Sequence, residues 1–226
     1  MPYFMKEGIP MRIASAADLE AATLELGFLP MFAHAIPGYS VEELCLPEIW
    51  FREGVDGPWE WKGPLAQGKR CLYGKFFRGR AGFVSRAWFP ALANYRRGGL
   101  DADARFELGL TPALDRRLYE LVREEGSLNT KALKWRVEAK KGFDAAVTRL
   151  QMHTDWVVSD FEYQLDRHGR PYGWGIARYA TPEAWLGEGF RPASEPPEAS
   201  LARMLEQLRR ACPQADEKAL ARLLRG

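Results

Sequence analysis

Residues 111–186 read TPALDRRLYELVREEGSLNTKALKWRVEAKKGFDAAVTRLQMHTDWVVSDFEYQLDRHGRPYGWGIARYATPEAWL, and the fold turns on them. Thr111-Pro112 is an N-cap with proline at the first helical position, and Leu114, Leu118, Leu121 and Val122 then share one face. Gly126 stops that helix, and a shorter one runs from about 129 to 137. After Lys140-Lys141-Gly142, a third helix repeats Phe143, Ala146, Val147 and Leu150 at i, i+3, i+4 and i+7. The period then falls to two. Val157, Phe161, Tyr163 and Leu165 alternate with Val158, Asp160, Glu162 and Gln164, and Tyr172, Trp174 and Ile176 alternate on a return strand after a polar turn at 166–170. Thr181-Pro182-Glu183 opens a last short helix. Helix, extended segment, helix, helix, hairpin is the order of a winged helix-turn-helix domain. In such a domain the third helix enters a DNA major groove and the hairpin lies along the backbone.

The charges of this stretch fit that order. Between 126 and 150 the bases are Lys131, Lys134, Arg136, Lys140, Lys141 and Arg149, against Glu138 and Asp144. The wing tip adds Arg167, His168 and Arg170. Lys134, Lys140, Lys141, Thr148, Arg149, Arg167 and Arg170 are therefore candidate DNA contacts, with Arg149 the main candidate for reading a base. Winged helices also dock proteins, and Trp156, Tyr172 and Trp174 are the aromatic surface that this alternative would use.

Working outward, Ser15-Ala-Ala-Asp18 opens a helix that Gly27 stops, and Ser40-Val-Glu-Glu43 is a second cap signal. Residues 47–64, with Trp50, Phe51, Trp59 and Trp61 among Gly and Pro, read as packed irregular loop. Residues 71–85 read as a β-hairpin turning at Arg78-Gly79-Arg80, and a helix starts near Phe89 and ends at Gly98-Gly99. The expected fold is α+β and helix-rich: an N-terminal α+β domain over 1–110, the winged helix over 111–190, and a linker with a helical tail over 191–226. The tail's apolar stripe (Leu201, Met204, Leu205, Leu208) would cover the winged helix, pair two copies or receive another protein.

The net charge of +2 hides a partition. Residues 1–61 carry ten acids and three bases, whereas 62–97 carry nine bases and no acid. Either the two blocks face each other or the basic one meets an anion. Lys75, Arg78 and Arg80 sit among Tyr73, Phe76, Phe77 and Phe83, a pattern that suits unpaired nucleotides but more often marks a hairpin core with a wet basic face. Lys75 itself is expected to point to solvent.

With 226 residues and 46% hydrophobic content the chain has material for a core, which excludes disorder and collagen for its bulk. Apolar runs are too short to span a bilayer, and three scattered cysteines (Cys45, Cys71, Cys212) suit a reduced cytoplasmic compartment. His34, His153 and His168 are isolated, so no metal site or cofactor is expected. Cys71 is read as a core residue, and strand-edge carboxylates such as Asp155, Asp160 and Glu162 as solvated.

From roughly 48 to 186 the sequence resembles the AlkZ-related proteins, relatives of crosslink-repair DNA glycosylases built from tandem winged helices. Trp59-Glu-Trp61, Tyr73-Gly-Lys-Phe-Phe77 with Gly82-Phe-Val-Ser85, Tyr95-Arg-Arg97, Phe143 with Leu150-Gln151, Tyr172-Gly-Trp174 and Thr181-Pro-Glu183 carry the resemblance. It implies a DNA-binding protein of the repair machinery. The glycosylases handle the catalytic water with Gln-x-Gln or Gln-x-Asp. Here Gln151-Met-His153 is the nearest approach, and Gln164-Leu-Asp166 falls at a wing turn. No residue is therefore assigned to catalysis, and base excision is not expected. The enzyme alternative is a glycosylase with a non-standard site, with Lys75 as amine nucleophile or Asp155 in acid/base work.

Overall fold

A computed structural model of the chain describes residues 5–6, 9–10, 12–52, 54–138, 141–187 and 189–225. The protein is α+β and helix-rich. Its N-terminal half holds β1 (Met5–Lys6), β2 (Ile9–Pro10), α1 (Ala16–Leu26), β3 (Phe28–Pro30), α2 (Val41–Leu44), a 3-10 turn (Pro47–Ile49), α3 (Pro58–Gln67), β4 (Cys71–Phe77), β5 (Arg80–Ser85), α4 (Phe89–Arg97) and α5 (Ala102–Glu107). Then come α6 (Ala113–Glu125), β6 (Leu128–Asn129), α7 (Thr130–Val137), α8 (Phe143–Met152), β7 (Val157–Leu165), β8 (Pro171–Ala180), α9 (Pro182–Leu186), α10 (Pro197–Ala211) and α11 (Glu217–Leu224).

A six-stranded antiparallel sheet of order β3-β5-β4-β7-β8-β6 joins the two halves. The pair Tyr73↔Val158 carries the β4–β7 junction, so the sheet runs across residue 110. One apolar core extends from Ile13 to Leu224. Tyr73, Phe76, Phe77, Phe83 and Phe89 are buried in it, so most aromatics of the basic segment are core. Cys45, Cys71 and Cys212 are buried free thiols, pushed by that burial to about 11, 12 and 12, which makes them poor nucleophiles at neutral pH.

Several local readings need correction. Residues 58–67 are helix: Pro58 occupies the first turn and Glu60 accepts the Gly57 N–H at 3.0 Å, so Pro64 interrupts a helix that has already started. The cap of α6 is Pro112, with no side-chain bond from Thr111. On β7 the two-residue period fades toward the β7–β8 turn, where Leu165 is 62% exposed. Of the tail, α10 packs mainly on α4 and not on the helices of 111–190, and α11 comes near the end of α8. The tail meets α4 and α1 with Asn94 Nδ2 donating to Glu195 O (2.8 Å) and Ser200 Oγ (2.9 Å), and Gln207 Nε2 donating to Glu25 O (2.9 Å). Among the described residues, no helix is long and apolar enough to cross a membrane.

Candidate functional site

The β4–β5 hairpin is seated on α8. Gly74 pairs with Gly82 and Phe77 with Arg80, so β4 carries one extra residue between them, a β-bulge. The Lys75 N–H is thereby turned out of the ladder and donates to Gln151 Oε1 at 3.0 Å, while Gln151 Nε2 donates to Val147 O at 3.0 Å. Contrary to the expectation that Lys75 points to solvent, the same bulge aims its Nζ at Thr148 Oγ1, 3.2 Å away. The turn holds Arg78 and Gly79 at φ 54 and 76, both left-handed, as in a type I′ hairpin. A Cβ on Gly79 would stand 3.3 Å from the Thr148 methyl, so the tip lies against α8. Lys75, Arg78, Arg80 and Thr148, read from two separate stretches, are neighbours.

The other candidates are dispersed. Arg149 grips Asp115 with two bonds of 2.8 and 2.6 Å, and Asp115 is 3% exposed. Lys134 lies 3.4 Å from Asp144 and 5.1 Å from the Phe143 ring centre. Lys141, Arg167 and Arg170 are exposed, whereas Lys140 lies outside the described residues. Asp166 Oδ1 accepts the N–H groups of His168 (2.8 Å) and Arg170 (2.9 Å) and so shapes the β7–β8 turn. At about 3.3 Å per residue, β7 carries that tip roughly 26 Å from its own start. Trp156 is fully buried and stacked on Tyr179, which removes it from any docking surface; the side chains of Tyr172 and Trp174 lie outside the described set.

The basic block 62–97 divides three ways. Arg70 pairs with Glu20 of the acidic block at 2.9 Å, and Arg78 and Arg80 are exposed at the hairpin tip. Lys62, Arg96 and Arg97 serve the interior. Lys62 is 2% exposed, donates to Trp59 O at 2.5 Å and lies 3.9 Å from the Trp59 ring centre and 4.6 Å from that of Phe161. Burial pulls its ammonium down to about 8 from 10.5. The native state therefore holds fewer protons than the unfolded chain between those values, and the burial costs stability at neutral pH. Lys62→Met is expected to gain about 1 kcal/mol at pH 7 and to lose that margin by about pH 10.5. Urea midpoints of both proteins at pH 7 and 10 check this, and an equal difference at the two values contradicts it.

Asp155 is also buried, not solvated. Its Oδ1 accepts from Arg105 Nη2 and lies 3.5 Å from Arg97 Nε. Arg97 also donates to Glu183 Oε1 (2.6 Å) and to Thr154 O (2.6 Å). The side chains of Arg97, Arg105 and Asp155 are 4%, 8% and 4% exposed. Burial, with the nearby Glu183 charge, pushes the Tyr119 hydroxyl to about 12. A cavity of about 300 Å³ opens beside the cluster, lined in part by Arg105, Asp115, Arg149, His153 and Asp155. Each carboxylate on its wall is held by arginine. Among the described residues, no group of three or more His, Cys, Asp or Glu is placed to hold a metal ion.

Fold and contacts define an α+β protein in which a basic hairpin is clamped to a helix above a buried arginine–carboxylate cluster. It belongs to the AlkZ-related family, whose model matches residues 13–225. No match was found among curated proteins or among solved structures. Sequence reading missed the interior roles of Lys62 and Arg96, and also Trp135, which is 76% exposed on α7. The Trp135 signal was present: Leu133 and Val137, four apart, mark the apolar face of α7, and Trp135 midway between them falls on the opposite face.

Proposed function

We propose that the chain is a DNA-binding protein whose residues 111–190 form a winged helix, and that it does not excise bases. The observation that carries this reading is the seating of the hairpin on α8, which brings Lys75, Arg78 and Arg80 to the helix that would enter the groove. The order α6-β6-α7-α8-β7-β8, with β6 paired to β8, supports the winged-helix assignment. Lys141 at the helix entrance and Arg167 and Arg170 at the wing supply further phosphate contacts. Arg149 serves this function less directly, since its guanidinium is already engaged by Asp115.

The non-catalytic part rests on occupied groups. Gln151 Oε1 accepts the Lys75 N–H of the hairpin and its Nε2 donates to Val147 O of its own helix, so both ends of the amide are engaged rather than turned to a water. Asp115 and Asp155 are both bound by arginine.

Electrophoretic shift or anisotropy over a salt series tests the binding. Each phosphate contact removed by Lys141→Ala, Arg167→Ala or Arg170→Ala is expected to flatten the log–log salt slope by about one unit. No binding of any duplex at low salt would defeat the reading. It would favour protein docking, for which exposed Trp135 is the specific anchor. Single-turnover incubation with alkylated duplex is expected to release no base.

A further inference from the structure

A cavity of about 690 Å³ opens where the hairpin tip, residues 30–35, the end of α8 and α11 meet. Arginines from three places line it: Arg78 in the turn, Arg80 at the start of β5, and Arg222 on α11. Among the described residues no aspartate or glutamate lines it. Among the described residues none of the three arginines is in an ion pair, and Arg80 Nη1 donates to Ala33 O at 3.2 Å. The floor is apolar, with Phe77 and Leu223 buried and Phe32 and Met152 half-buried. His34 forms part of the wall as a neutral ring: Nε2 donates to Tyr39 O at 2.7 Å, and burial lowers its pKa below the ordinary value.

Two physical demands follow. Unpaired guanidinium groups facing one cavity call for an anion, and their forked donors match phosphate oxygens. An aromatic and thioether floor calls for a flat apolar body that can stack. Inorganic phosphate alone would leave the floor wet, and an uncharged ring would leave the arginines unneutralised. The volume suits a ligand that carries both parts. Arg78 sits at φ 54 in the hairpin turn, where asparagine or glycine is the cheaper residue.

We propose that this cavity binds a nucleoside phosphate, with its base on Phe32 and Phe77 and its phosphate held by Arg78, Arg80 and Arg222. The ligand is either a free nucleotide or a single unpaired nucleotide of a DNA strand. The site is complete only with the tail docked, because Arg222 and Leu223 belong to α11. It requires no duplex on α8.

Titration calorimetry of the full chain with dAMP, deoxyadenosine and inorganic phosphate tests the proposal. dAMP is expected to bind at least tenfold more tightly than either fragment, and Arg78→Asn and Arg222→Gln each to weaken it at least fivefold. Asparagine tolerates the left-handed turn, so Arg78→Asn should keep or raise the melting temperature while affinity falls, which separates binding from folding. Competition of dAMP against an oligonucleotide duplex with one unpaired nucleotide distinguishes the sources. Displacement assigns the site to a strand nucleotide, and bound dAMP without displacement assigns it to a free one. Binding of dAMP no tighter than phosphate, or binding unchanged in both variants, overturns the proposal. A fully paired duplex that fails to bind bears only on α8.

Discussion

Asp155→Ala is expected to lower the unfolding free energy by about 3–5 kcal/mol, the usual cost of removing one partner from a buried ionic cluster. The carboxylate is shared by Arg105 and Arg97, and all three side chains are nearly inaccessible. Its loss leaves the Arg105 guanidinium without its ion-pair partner, whereas Arg97 keeps Glu183 and Thr154 O. Asp155→Asn keeps the shape and loses the charge, and should fall between wild type and alanine. Urea unfolding of the three proteins reads the series directly. A loss below about 1 kcal/mol for alanine would mean that solvent reaches the arginines, against the burial seen here. The same variants separate structure from chemistry. Base release by wild type at a rate reduced by Asp155→Asn, in a protein that remains folded, would assign Asp155 to catalysis and defeat the non-catalytic reading.

The second large effect is expected at Arg96. Its Nη1 donates to Met152 O (2.6 Å), its Nη2 to Phe76 O (2.5 Å) and its Nε to Leu224 O (3.0 Å). Met152 and Leu224 are the last residues of α8 and α11, whose terminal carbonyls have no partner within the helix. One guanidinium thus caps two helices and ties both to β4, with its positive charge at the negative ends of two dipoles. Burial pulls it down to about 10, still fully protonated at neutral pH. Arg96→Met is expected to cost about 3 kcal/mol, since each buried carbonyl left unpaired costs about 1–3 kcal/mol and water recovers part of it. The tail should loosen with it, seen as faster proteolysis in the 191–199 segment. Arg96→Lys should rescue little, because an ammonium lacks the planar fork that reaches three diverging acceptors. Full rescue by lysine would show that charge alone is what the site requires.

Much of the local structure was legible because its causes lie within a few residues. Ser15 accepts the Asp18 N–H at 3.2 Å, Asn129 that of Ala132 at 2.8 Å and Thr181 that of Ala184 at 3.2 Å, each at a cap that side-chain chemistry marks in the sequence. The apolar stripe of α8 and the glycine turn of β4–β5 are equally short-range signals. Residues 58–67 misled because two prolines and a glycine argue against helix unless the first proline lies in the opening turn. Of the candidate site, the types of residue were legible and their company was not. Lys75 looked solvated because a strand pattern does not reveal a bulge. Arg149 looked free because its partner lies on another helix.

By itself, then, the sequence determined the α+β class, most helix and strand positions, the basic hairpin and the resemblance to the AlkZ-related family. Caps, turns and periodicity act over one or two turns of chain, and their energies are present before any distant segment arrives. The tertiary structure alone decided which cations are spent and which face solvent. Lys75 meets Gln151 across 76 residues, Arg97 meets Glu183 across 86 and Arg105 meets Asp155 across 50. Such pairings are set by how helices and sheet pack. An arginine in a buried cluster and one at a cavity rim are the same letter until the chain has folded around them.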